Sequence, residues 1–237
     1  MKITKTISVL ILAVLFLWQS LSYSHPQAIG DLGADAKKEI EVSAVEDLMR
    51  EHGALRRILL IYEELYRRLG KNKKIENHII LEASRITRDF IENYHEKLEE
   101  QYVFPKFKNS KLFSTVNTLK KQHEAGRRIT NNITQIASAE MEDPAKRKEL
   151  MRYIVFFVRM YRPHAAREDT VLFPEFKEIV GEKEYNELGD KFEEREVRLF
   201  GKSGFEGVVD KIASLEKKLG IYDLSQFTPS KVSSNKQ

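Results

Sequence analysis

Between residues 43 and 176 the apolar positions recur in steps of three and four, the period of helices that bury one face. The first stretch opens on Ser43 and Glu46, a Ser-x-x-Glu pair that satisfies first-turn amides. Val45, Leu48, His52, Leu55, Leu59, Tyr62, Tyr66 and Leu69 then form one stripe, and Gly70 follows. A second helix is predicted over roughly 75–102, stopping near Pro105. A third, over roughly 112–139, carries Val116, Leu119, His123, Gly126, Thr130, Ile133 and Ala137 at the same steps. Asp143 and Pro144 supply the cap and first position of a fourth helix. Its stripe is Leu150, Ile154, Phe157, Tyr161, His164, Glu168 and Val171, with Pro163 inside it as an expected kink. Two further helical stretches are predicted, at about 182–200 and 205–219, and no strand or hairpin pattern appears. The predicted fold is all-α: an up-down-up-down four-helix bundle with additional C-terminal helices packed on it.

The flanking segments divide the chain further. Residues 1–24 read as a signal peptide, with Lys2 and Lys5 ahead of an apolar run from Ile7 to Trp18, and Ser22 and Ser24 before a cut at His25. An uncleaved membrane anchor is the alternative, although twelve apolar residues are few for a bilayer. A polar linker follows over 25–41, then the bundle over 42–180, a C-terminal helical extension over 181–220 and a polar tail over 221–237. The expected location is therefore outside the cytoplasm, periplasmic or secreted, with no stable membrane insertion once the signal is removed.

Composition narrows the chemistry. With no cysteine in 237 residues, thiolate metal sites, disulfides, iron–sulfur clusters and cysteine nucleophiles are excluded. Any metal must be held by His, Asp, Glu or backbone oxygen. Loss of the two signal-segment lysines lowers the formal charge from +4 to +2. With both signs interspersed, no nucleic-acid partner is expected.

The chain contains an internal duplication. His95 to Phe107 (HEKLEEQYVFPKF) and His164 to Phe176 (HAAREDTVLFPEF) align at an offset of 69, pairing His95 with His164 and Glu99 with Glu168. Glu51 to Ile58 (EHGALRRI) and Gln122 to Ile129 (QHEAGRRI) align at an offset of 71, pairing His52 with His123. Two helical hairpins thus follow each other, each giving one His from its first helix and a His-x-x-x-Glu from its second. At 1.5 Å per residue all four histidines lie roughly 15–20 Å from the same end of an antiparallel bundle. Residues four apart share a helix face, which brings Glu99 and Glu168 into the same layer.

A single interior His is ordinarily a hydrogen-bonded core residue, and a single His-x-x-x-Glu is common on solvated helices. Four imidazoles and two carboxylates at one buried level are different. Left unpaired they are costly, and the carboxylates repel unless protonated or bridged by cations. A pair of metal ions held by His52, His95, Glu99, His123, His164 and Glu168, with the carboxylates bridging, removes both costs. Nitrogen and oxygen donors with open positions suit non-haem iron, with manganese and zinc as competitors.

The order His, His-x-x-x-Glu, His, His-x-x-x-Glu resembles the hemerythrin-like, or HHE cation-binding, family over about residues 43–176, and the flanking residues resemble its bacterial members. The resemblance implies a four-helix bundle with a diiron centre, in which His52, His95, His123 and His164 are terminal ligands and Glu99 and Glu168 bridge. Oxygen-carrying members have a further His four residues after the one on the third helix; here that position is Arg127, mirrored by Arg56. They also use an Asp five residues after the last His, a spacing that Asp169 fills beside Glu168. Spacing leaves the two acids open, while the repeat favours Glu168. Glu96, beside His95, is a further ligand, a partner standing behind the ligands, or a solvated helix residue. His78 is expected to be exposed, the arginine pairs to form ion pairs, and Phe104–Pro105 and Phe173–Pro174 to shield the metals from water.

The functional expectation is a non-haem diiron protein that binds or senses dioxygen, a related small ligand such as nitric oxide, or iron itself. The alternatives are a diiron enzyme with oxidase, peroxidase or nitric-oxide-reducing activity, and an iron-storage module.

Overall fold

The computed structural model describes residues 42–139 and 143–229. The proposed signal peptide, the whole linker and the end of the tail lie outside the described residues. Among these residues the structure is all-helical, with four long helices as expected and two more behind them. Helix α1 is Ala44–Gly70, and Ser43 Oγ accepts from the Glu46 amide at 3.3 Å, the predicted cap. It closes through Asn72, whose φ of 51° reverses the chain. Helix α2 occupies 77–107 without interruption, longer than its sequence pattern indicates. Its last turn, Phe104–Phe107, tightens to a 3₁₀ geometry that accommodates Pro105 near its start. Helix α3 is Phe113–Ala137. Helix α4 begins at Pro144, where the Asp143 side chain accepts from the Ala145 amide at 2.8 Å, and runs past Pro163 to Arg167.

Two departures from a plain α-helical register frame the histidines. Both α2 and α4 widen to π geometry directly after the His-x-x-x: at Glu99–Val103 and at Glu168–Leu172. Helix α2 has a second wide segment, Thr87–His95, leading into its histidine. Each π turn inserts one extra residue and shifts the buried face by one position. Val171, inward on an ideal stripe, is accordingly only partly buried, and Leu172 is completely buried. Tyr102 and Val103 show the same exchange in the first hairpin. Tyr66 also departs from the stripe: it is 41% exposed, and Leu65 takes the core position. A four-residue step such as Tyr62 to Tyr66 overshoots the 3.6-residue turn and carries the stripe off the core face.

Helix α1 packs against α2 and α4, and α3 packs against the same two, so the four enclose a common core. The large buried side chains Tyr62, Phe90, Phe157 and Tyr161 fill it. Helix α5, Phe173–Phe200, is broken at Gly181, whose φ of 74° suits glycine. Helix α6 is Gly204–Lys218. The extension is not a loose appendage. Its α6 lies along α1 and α2, and Arg57 grips the buried Glu216 with two hydrogen bonds of 2.9 and 2.6 Å. No helix among the described residues is long and apolar enough to cross a membrane.

Gly126 of α3 is required by packing. A Cβ there would meet the Tyr161 hydroxyl oxygen at 1.9 Å. Gly126→Ala is expected to destabilise the fold by about 1–3 kcal/mol through overpacking, read as a lower urea midpoint at unchanged slope.

Candidate metal centre

The structure brings all six sequence-identified residues together. His52, Glu99, His123 and Glu168 are completely buried, His95 is 2% exposed and His164 is 3% exposed. The imidazoles meet in two pairs, one per hairpin: His52 and His95 have ring centroids 4.7 Å apart, and His123 and His164 lie at 4.9 Å. The carboxylates cross between hairpins. Glu99 Oε2 lies 3.7 Å from Nε2 of His95 in its own hairpin and 3.3 Å from Nε2 of His123 in the other. Glu168 Oε2 lies 3.1 Å from Nε2 of His164 and 3.4 Å from Nε2 of His52.

Each outward nitrogen has an oxygen partner. Nδ1 of His52 meets Asp169 Oδ1 at 2.6 Å, Nδ1 of His95 meets Glu51 Oε2 at 2.6 Å, and Nδ1 of His164 meets Gln122 Oε1 at 2.9 Å. Nδ1 of His123 faces Glu100 at 3.2 Å. Where such an oxygen belongs to an ionised carboxylate or an amide it accepts, and Nδ1 donates. Metal binding takes the imidazoles neutral, with the Nε2 lone pair free to ligate; without metal the inward Nε2 atoms of His123 and His164 lie 3.1 Å apart, within hydrogen-bond distance of each other. Two of the outer acids are themselves held by an arginine of the other hairpin: Asp169 by Arg56, and Glu100 by Arg127 at 2.5 Å. An aromatic ring completes each half, Phe173 stacking on His52 at 5.5 Å and Phe104 on His123 at 5.3 Å.

These contacts settle several alternatives. Asp169 lies on the outer nitrogen of His52, away from the inward oxygens of Glu168. Glu96 is not a solvated residue but 1% exposed; it accepts from the Tyr161 hydroxyl and from Arg127, each at 2.6 Å. Arg127 is spent on Glu96 and Glu100, so it bonds away from the centre. His78 is exposed and beside Glu76 at 3.1 Å. The outer partners Glu51, Gln122 and Glu100 were not assigned roles from the sequence, and Asp169 was considered only as a ligand in place of Glu168, though the signal exists. They occupy matching positions of the duplication, at offsets 71 and 69.

The electrostatics do not close without cations. Both oxygens of Glu99, both of Glu168 and Nε2 of His52 are buried with no hydrogen-bond partner. At about 1–3 kcal/mol for each unsatisfied buried group, five such atoms weigh on the scale of a domain's whole stability. Burial, then the charge of Glu168, pushes Glu99 well above the usual carboxylate range. Burial also opposes ionisation of Glu168, but His164 and His52 outweigh it and hold that carboxyl low. At His52 burial is outweighed by Asp169 and Glu168, and the imidazole is raised to about 9. Burial holds His95 well below its ordinary value. The donor atoms fall into two overlapping groups, Glu99–His123–His164–Glu168 and His52–His95–Glu99, within each of which they lie within 4.8 Å of one another. Partnerless inward donors shared by two such groups fit a metal pair.

A helical bundle with a buried imidazole–carboxylate cavity is a cation-binding bundle. The comparisons agree: the hemerythrin HHE cation binding domain model matches residues 43–174 and again residues 114–219, and the chain belongs to that family. Uncharacterised proteins of Mycobacterium tuberculosis and Mycobacterium bovis are each 47% identical to it over 197 residues, covering 82% of this chain and 77% of theirs. No solved structure matches it significantly. A metal-binding function follows from the family and the cavity together.

The outer partners can be tested separately from the inward ones. Asp169→Asn keeps the inward Nε2 of His52 but weakens its orientation. It is expected to lower metal affinity about 10–100-fold with the fold intact, measured by competition against a chelator of known affinity.

Proposed function

We propose that the chain holds two iron ions between its hairpins, with His52, His95, His123 and His164 as terminal ligands and Glu99 and Glu168 bridging, and that it binds or senses dioxygen or a related diatomic molecule there. The up-down-up-down order belongs to the same reading, supported by the short connections and by the packing of each long helix on two others. The observation that carries the proposal is the set of five buried, partnerless donor atoms facing each other across the hairpin boundary. Two bridged irons supply the electrons that reversible dioxygen binding requires.

The protein's own residues orient the imidazoles through their Nδ1 protons and exclude water with Phe104 and Phe173. A fissure of about 250 Å³ reaches His164 between α3 and α4, bordered by Leu119, Gln122, Pro163 and Arg167. One observation favours the second reading, an oxidase, peroxidase or nitric-oxide-reducing enzyme. Arg127 replaces the extra imidazole of the carriers and is turned to Glu96 and Glu100, so each group has two imidazoles only. The run Ile7–Trp18 behind Lys2 and Lys5 supports an exported chain, which N-terminal sequencing of the secreted or periplasmic protein would check.

Metal analysis of the purified protein, with absorption spectra before and after oxygen, azide and hydrogen peroxide, tests the reading. Two irons per chain and an oxygen-dependent band that reverses on deoxygenation are expected. Irreversible bleaching with turnover of a reductant would select the enzyme, and stoichiometric zinc would sink the diiron assignment.

A further inference from the structure

A second acidic group is buried beside the centre without any imidazole in it. Asp47 and Glu51 stand one turn apart on α1, and α5 brings Glu196 against them; a carboxylate oxygen from each lies within 4.8 Å of the others. Asp47 is 7% exposed and Glu51 fully buried. Glu51 Oε2 is committed to Nδ1 of His95 at 2.6 Å, and its Oε1 is buried without a hydrogen-bond partner, near a Tyr94 hydroxyl that donates to the Phe192 carbonyl at 3.3 Å. The cation paired with the cluster is Arg50, and its hold is weak. Its guanidinium is 3.4 Å from Asp47, while it also approaches Glu206 at 3.7 Å and lies over the Phe205 ring at 4.6 Å. Of the three carboxylates only Asp47 is within ion-pair distance of that guanidinium, which is itself 37% exposed.

The extension builds this arrangement. The Phe205 amide donates to Glu196 Oε1 at 2.9 Å and fixes that side chain. The preceding Gly204, at φ 39°, lets the turn pass where a Cβ would lie 2.2 Å from the same oxygen. The repulsion shows at Asp47, which burial and then the neighbouring Glu51 and Glu196 charges push up to about 8.

We infer that Asp47, Glu51 and Glu196 form a third cation site, distinct from the histidine centre, for a hard divalent ion. Oxygen donors alone select the magnesium, calcium, manganese and ferrous class over softer ions. A divalent ion offsets the charge that Arg50 leaves uncompensated, and it gives the orphaned Oε1 of Glu51 a partner. Glu196 is half-buried and forms the mouth through which the ion enters. The assignment does not depend on which ions fill the histidine centre, because its donors other than Glu51 touch none of the six inward residues.

The test is anaerobic titration of the chelator-stripped full chain with Mn²⁺ alone, counting the free ion by its paramagnetic resonance signal. Asp47→Asn with Glu196→Gln is expected to remove one bound Mn²⁺ per chain, both in the wild-type background and in a His123→Ala, His164→Ala background. Glu196→Gln alone, which keeps the hydrogen bond from Phe205, is expected to weaken that ion at least tenfold with an unchanged circular dichroism spectrum. An unchanged number of bound ions in both backgrounds overturns the site. If the histidine substitutions cost no Mn²⁺ while the acid substitutions still cost one, the centre as assigned fails and the third site stands.

Discussion

Glu99→Gln is expected to strip the protein of metal, at least tenfold in retained iron, while raising the melting temperature of the metal-free chain. The two effects have one cause. Glu99 stands between an imidazole of its own hairpin and one of the other, with neither oxygen hydrogen-bonded, so a neutral amide there deprives both donor groups of their shared anionic ligand. In the absence of cations the same amide removes a buried carboxyl that burial and Glu168 hold far from its ordinary ionisation. Relief of that conflict is worth roughly 1–2 kcal/mol, or about 2–5 °C in a domain of this size. Iron content and thermal melting after chelation check both signs. His78→Ala, at an exposed position, is the control that should move neither.

Removal of metal is expected to reverse the pH dependence of stability. In the metal-free chain His52 titrates near 9 against an ordinary value of 6.5. The folded state then binds a proton that the unfolded state releases, so its stabilisation is complete below 6.5 and is lost as pH rises through 9. The difference amounts to about 3 kcal/mol. Glu51 shifts the same way: burial raises it to about 8, so its proton is also lost over this range. His95, held low, opposes the trend only below its ordinary value. Metal binding has the opposite slope, because the ligands must give up protons to bind. Melting temperature should therefore fall between pH 6.5 and 9 after chelation and hold or rise over the same range in the loaded protein. Parallel slopes in the two states would contradict the ligand assignment.

Much of this centre was legible because it is written twice. Four histidines and two glutamates recur at two offsets, and helical rise converts those positions into one level of a bundle. The outer partners were equally present in the repeat, as Glu51 with Gln122 and Glu100 with Asp169. A shared polar residue next to a ligand does not show which nitrogen it faces, so the sequence could not separate Asp169 from Glu168. The π turns were not legible at all. They hold no residue type that a periodic pattern detects, yet they decide that Leu172 rather than Val171 enters the core. Glu96 was undecided for another reason. Its environment comes from Tyr161 and Arg127 on two other helices, and an isolated helix position does not reveal such neighbours. Glu196 and Glu216 likewise join the bundle only through the path of the extension, which follows the break at Gly181.

The exchange of carboxylates across the hairpin boundary has a consequence for origin. A lone hairpin of this pattern, paired with a copy of itself about a twofold axis, would present the same four imidazoles and two carboxylates, each acid reaching its mate's histidine. Joining two such copies through residues 108–112 yields this chain and frees each half to change alone. In a homodimer every substitution appears twice. Glu51 opposite Gln122, and Glu96 with Tyr161 on one side only, are differences that a symmetric ancestor could not have held. If the chain arose by such a joining, the asymmetric features of the site postdate it.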